Sequence, residues 1–172
     1  KRVYRLFLIF ICLIAATLNY PAQNFLNGDF ENNTSSACNY NMANATFTSL
    51  MANAVAYGGG SELDIMGPGA SCPYGSPESG NWFVALAFPS TSDAFTMQLT
   101  APLVAGNTYT MQFWDKGDGT YPPGMPVVIG ISTAAGVSGT TVYTGPTPTN
   151  DVWNQNSRNP GAILKCKCTN YH

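Results

Sequence analysis

Three short apolar runs in the middle of the chain set its pattern: Trp82–Phe88, Ala94–Leu99 and Tyr109–Trp114. Each is too short for a globular helix, is rich in aromatic and branched residues, and has turn formers at its ends. That predicts three consecutive β-strands. Within the third run Tyr109, Met111 and Phe113 alternate with Thr110, Gln112 and Trp114, and within the second Phe95, Met97 and Leu99 alternate with Thr96, Gln98 and Thr100. A period of two puts the apolar members on one face and the others on the opposite face. Two neighbouring strands of this kind make half of a sandwich. The polar face, not the core, is then where function is expected.

The flanking segments extend this all-β reading. Phe25 to Glu31 is strand-like around an Asn27-Gly28 turn. The stretch from Met42 to Tyr57 fits either a short helix or a distorted strand; the Thr46-Phe47-Thr48 alternation favours strand and irregular structure. Glu62–Met66 is a brief strand, and residues 67–80 form a Gly/Pro-rich loop. Val127–Ser132 is a near-continuous apolar strand, which predicts burial on both faces or a central place. Thr140–Thr144 and Asp151–Gln155 are the last recognisable strands.

Both ends differ from this body. Lys1, Arg2 and Arg5 precede an apolar run from Leu6 to Leu18, and Ala22 follows, the layout of a secretory signal peptide over residues 1–22. The run of about 13 residues is short for a membrane span, which needs roughly 20; a retained anchor is the competing reading. Residues 23–155 form the expected β-sandwich domain. Residues 156–172 hold three of the four basic residues left after the leader, two of the cysteines and the single His. No strand pattern is read through this tail, and a frameshift is suspected there, leaving the sandwich short of its last strand or two. Domains appended outside this stretch are also expected.

Charge and cysteine content narrow the function. Without the leader, four Lys/Arg stand against nine Asp/Glu, a net of −5. That argues against nucleic acid, which asks for clustered cations. In an exported chain Cys38 and Cys72 are expected to form a disulfide worth about 3–4 kcal/mol. Cys166 and Cys168, with one residue between them, have the wrong spacing for structural zinc. The body lacks His, so no Ser–His or Cys–His pair can form there. No Asp/Glu pair stands out for glycoside hydrolysis, and a non-enzymatic module is expected.

The opening Asn27-Gly28-Asp29-Phe30-Glu31 and the later SGNWFVALA and AFTMQLTAPLVAGNTYTMQFW stretches resemble the galactose-binding-like jelly-roll domains. That group includes the carbohydrate-binding modules of secreted bacterial proteins. The resemblance covers roughly Phe25–Trp153. It implies a jelly-roll β-sandwich at the cell surface or outside the cell, a glycan or polysaccharide as partner, and a structural Ca²⁺ for which Asp29 and Glu31 are the candidates. A hard cation suits such oxygen ligands, although a hydrogen-bonding role fits the two carboxylates equally.

Sugar recognition calls for flat aromatic rings beside planar hydrogen-bonding groups. Trp114 with Gln112 and Thr110 is such a set. Gln98 and Thr96 are expected to join from the adjacent strand, and Trp82, Tyr74 and Tyr121 to add rings from loops. Packing under loops or against a second sheet is the alternative for Trp82 and Trp114. Asp115–Gly119 reads as a solvated turn rather than a Ca²⁺ loop. A structural or adhesive sandwich contacting proteins is the alternative to glycan binding.

Overall fold

The computed structural model describes residues 24–59, 62–68, 72, 75–87, 93–104, 107, 109–119, 125–158 and 164–171, with 87, 158 and 164–171 described through their backbone alone. The expected leader, Tyr74 and Tyr121 lie outside these residues. Among the described residues ten strands and one short helix follow in order: β1 Asn39–Met42, α1 Asn44–Leu50, β2 Ala54–Gly58, β3 Leu63–Met66, β4 Phe83–Ala87, β5 Asp93–Met97, β6 Met111–Gly117, β7 Val128–Ile131, β8 Thr140–Thr144, β9 Asn154–Arg158 and β10 Leu164–Tyr171. The all-β expectation holds at this level. Among the described residues no helix is long and apolar enough to cross a membrane.

One layer is a six-stranded sheet in the order β1-β3-β4-β10-β6-β9. Its pairs are antiparallel except at β10, which runs parallel to both β4 and β6. Two two-stranded sheets, β2-β5 and β7-β8, lie over its inner face. They meet where the Gly136 N–H donates to Thr96 Oγ1 at 3.0 Å.

Alternation explains the core. Leu63 and Ile65 of β3, Val84 and Leu86 of β4 and Phe113 of β6 point inward and are buried with Phe30, Phe47, Met51 and Ala56. Phe95 links the layers, 5.9 Å from the Phe30 ring and 5.7 Å from Phe47. Each fully buried ring of this kind stabilises the fold by roughly 1.5–3 kcal/mol through area removed from water. The opposite parity of β3 and β4 builds a second, smaller cluster on the outer face: Met66, Phe83 and Ala85, with Cys38, Cys72 and Trp153 packed on them. The Cys38–Cys72 disulfide, Cα atoms 5.8 Å apart, fastens the loop after β3 to the start of β1.

Four expectations are corrected. First, β5 and β6 are not neighbours: β5 pairs with β2 from Ala54↔Met97 to Gly58↔Asp93, in the other layer. Second, Asn44–Leu50 is helical. Phe47, Leu50 and Met51 make a one-turn apolar stripe at i, i+3 and i+4, and Phe47 anchors it in the core. A three-residue alternation was too short to outweigh that stripe.

Third, β7 is neither central nor doubly buried: Val128 is 59% exposed and Ile131 46%. It pairs with β8 alone, so only Ile129 and its register partner Tyr143 face the core. Fourth, a strand does run through the tail. β9 continues to Arg158, and Leu164–Tyr171 fills the slot between β4 and β6.

Candidate functional site

The polar face singled out from sequence is the outer face of β6. Met111 and Phe113 turn inward, Phe113 meeting Tyr143 edge-to-face at 5.8 Å, which leaves Gln112 and Trp114 outward. Both are half-buried. The antiparallel partner β9 sets Gln155 opposite Trp114 and Ser157 opposite Gln112. Residues directly opposite share a face, so one indole, two primary amides and a hydroxyl lie together. Gln155 and Ser157 are exposed, and β9 is the edge of the sheet, leaving the face open on that side.

One end of the face is closed. Trp153 stands edge-on to Phe83 at 5.7 Å, and its indole N–H donates to the Ser76 carbonyl at 3.0 Å. The Lys116 ammonium lies 5.4 Å from the Phe83 ring centre and 5.1 Å from that of Trp153. This is a desolvated cation–π arrangement, favourable by about 2 kcal/mol. Burial pulls the Lys116 pKa down, and Asp151 and Asp118 oppose that shift. The Lys116 head thus sits against the Phe83 and Trp153 rings, while the Trp153 indole ties the loop to the sheet through Ser76.

The remaining sequence-derived candidates fall elsewhere. Thr110 is buried just before β6 begins, off the accessible face. Gln98 is exposed but follows β5 in the other layer, and Thr96 Oγ1 is engaged by Gly136. Trp82 packs against the main core and lies over Gly67, where a Cβ would collide with its ring. Tyr121 is outside the described residues. The structure therefore brings together Trp114 and Gln112, and adds Gln155 and Ser157, which sequence reasoning missed. The run Asn154-Gln155-Asn156-Ser157 is polar throughout and carries no alternation to mark two of its members; only the β6–β9 register says which residue meets which.

The opening motif has a structural role. Asn27 is buried and fully used: its amide N–H groups donate to the Asn32 and Ala52 carbonyls at 3.0 and 2.9 Å, and its Oδ1 accepts from Asn32 N–H at 3.0 Å. Phe30, with φ of 61°, drops its ring into the core. Glu31 reaches to the turn before β4, where Oε1 accepts from Asn81 N–H at 2.7 Å and Trp82 N–H at 3.1 Å, and Oε2 from the Asn81 side chain at 3.2 Å. Asp29 Oδ1 accepts from Glu31 N–H at 3.3 Å. Each of the two carboxylates thus has a hydrogen-bonding role, with both Glu31 oxygens engaged at the turn before β4. Among the described residues no group of three or more His, Cys, Asp or Glu could hold a metal ion.

Asp115 and Lys116, read as part of a turn, are strand residues of β6. The corner follows them: Gly117 N–H donates to Thr149 O, Asp151 N–H to Gly117 O, and Gly119 N–H to Asp151 Oδ1. Two carboxyls elsewhere are pushed up. Burial raises Asp115, with Asn156 offsetting part of the rise. Asp64, on the outer face of β3, is raised to about 7 by burial and by Asp93 and Glu62, against a 2.6 Å hydrogen bond from Asn41 N–H.

Comparison with family models, with curated proteins and with solved structures finds no match to this chain.

Proposed function

We propose that the chain is a non-catalytic carbohydrate-binding module of a secreted or cell-surface bacterial protein, its sandwich being a jelly-roll of the galactose-binding-like kind. The observation that supports this reading is the half-buried Trp114 indole on an open sheet face between Gln112 and Gln155. An indole offers the apolar C–H face of a pyranose a flat surface, and amides beside it supply donors and acceptors for ring hydroxyls. A rigid strand pair presents the groups with little ordering cost on binding. The Cys38–Cys72 pair suits an oxidising compartment.

A glycan array on the purified protein tests the reading. Binding to a defined glycan is expected, with at least a tenfold loss in Trp114→Ala while circular dichroism stays unchanged. Silence of the folded wild-type protein across the array would reject it.

A second reading, a structural or adhesive domain contacting proteins, draws on a different feature. The outer side of the β7-β8 hairpin exposes Val128, Ile131 and Val142, the last at 54%. Clustered apolar exposure of this sort marks contact surfaces. Array silence together with partner binding that is lost in Val142→Asp would favour it.

A further inference from the structure

We infer that the Trp114 face takes an anionic polysaccharide, one whose sugars carry carboxylate or sulfate groups, in preference to a neutral one. The inference rests on the carbohydrate reading above and adds the charge of the ligand.

Backbone register carries it. β10 runs parallel to β6 with Lys165 in register with Gln112 and Lys167 in register with Trp114. The intervening Leu164, Cys166 and Cys168 are in register with Met111, Phe113 and Asp115. Residues in register across a pleated pair belong to one face, and successive residues to opposite faces. Across β9, Gln112 and Trp114 stand opposite Ser157 and Gln155. Three adjacent strands therefore juxtapose two lysine positions, an indole, two amides and a hydroxyl.

The placement is selective. Beyond the expected leader the chain has four Lys/Arg against nine Asp/Glu, and two of those four cations fall in register with the candidate ring and amide. No Asp or Glu is in register with Gln112 or Trp114 on either β9 or β10. Lys116 continues the same parity, but its ammonium is held by Phe83 and Trp153 and is not counted. An acidic protein repels a polyanion over its general surface, so two lysine positions in register with the candidate ring and amide are what would direct one there.

The test is affinity electrophoresis of the full chain through gels holding polygalacturonate, dextran sulfate or neutral dextran. Retardation is expected in an anionic gel, with the carboxylated and sulfated arms identifying the anion, and it should weaken as NaCl rises from about 20 to about 500 mM. The double variant Lys165→Gln/Lys167→Gln should bind about 3- to 10-fold more weakly. Lys165→Arg/Lys167→Arg, which disturbs packing at least as much, should keep binding. Trp114→Ala should lose it. Retardation by neutral dextran alone, lost in Trp114→Ala but untouched by the Lys→Gln pair, overturns the charge inference and leaves the carbohydrate reading standing. Retardation by anionic gels that ignores Trp114→Ala overturns the placement on this face. A folded wild-type protein retarded in none of the gels and silent on the glycan array overturns both.

Discussion

Phe113 and Trp114 are neighbours in the chain, similar in size, and part of one strand, yet they belong to opposite sides of the six-stranded sheet. Phe113 is 2% exposed, wedged against Tyr143 and the main core. Trp114 is half-buried on a face that β9 leaves open at its edge. Two residues on, the outer face changes character, because the 75–82 loop and Trp153 close over Phe83 and Lys116. Alternation decides which face a residue joins; a loop crossing that face decides whether it is sealed.

The largest expected effect comes from the sealed side. Phe113→Ala should destabilise the protein by about 3–5 kcal/mol, the usual cost of emptying a buried ring site, whereas Trp114→Ala should cost well under half of that. Urea unfolding of the two variants measures the difference. Equal losses would mean that Trp114 is a core residue.

Next is a burial that works against stability. Asp64 is raised from 3.8 to about 7, so the folded state holds a proton that the unfolded state releases between those values. Stability should therefore fall as pH rises from about 4 to about 7 and level off above. Asp64→Asn removes that dependence and should gain at most about 4 kcal/mol at pH 8, with little change at pH 4. Thermal melts of both proteins across that range check the sign; a larger gain at pH 4 than at pH 8 would contradict it.

The smallest effect is the most specific to the open face. Gln155→Ala on an exposed edge strand should leave the melting temperature within about a degree. It should weaken glycan binding by roughly 3- to 10-fold, the loss of one hydrogen-bonding group worth about 1 kcal/mol. Isothermal titration with whichever glycan the array identifies measures it.

Much of this was legible in the residues. The three central runs became β4, β5 and β6 because each is a short apolar run between turn formers, and the second and third alternate as well. The Cys38–Cys72 pair followed from there being just two body cysteines. Trp114 and Gln112 were placed on the outward face by parity alone. Other parts were illegible for physical reasons. Val127–Ser132 is apolar on both sides, but apolar composition cannot tell a central strand from a hairpin with one exposed face. The Leu164–Thr169 alternation was present in the tail and was overlooked beside its unusual charge and cysteine content. Glu31 looks like a metal ligand from its motif; its three hydrogen bonds to a turn some fifty residues away depend on how the chain returns.

By itself, then, the sequence determined local matters: that the three central runs are extended, which residues of β5 and β6 face inward, and which two cysteines pair. These depend on neighbours along the chain, where a period of two and a few turn residues suffice. Only the tertiary structure decided that β5 leaves β6 for β2, that β9 sets Gln155 beside Trp114, and that β10 brings Lys165 and Lys167 into line with them. Strand pairing joins residues tens of positions apart, and a strand's own alternation fixes its face without naming its partner.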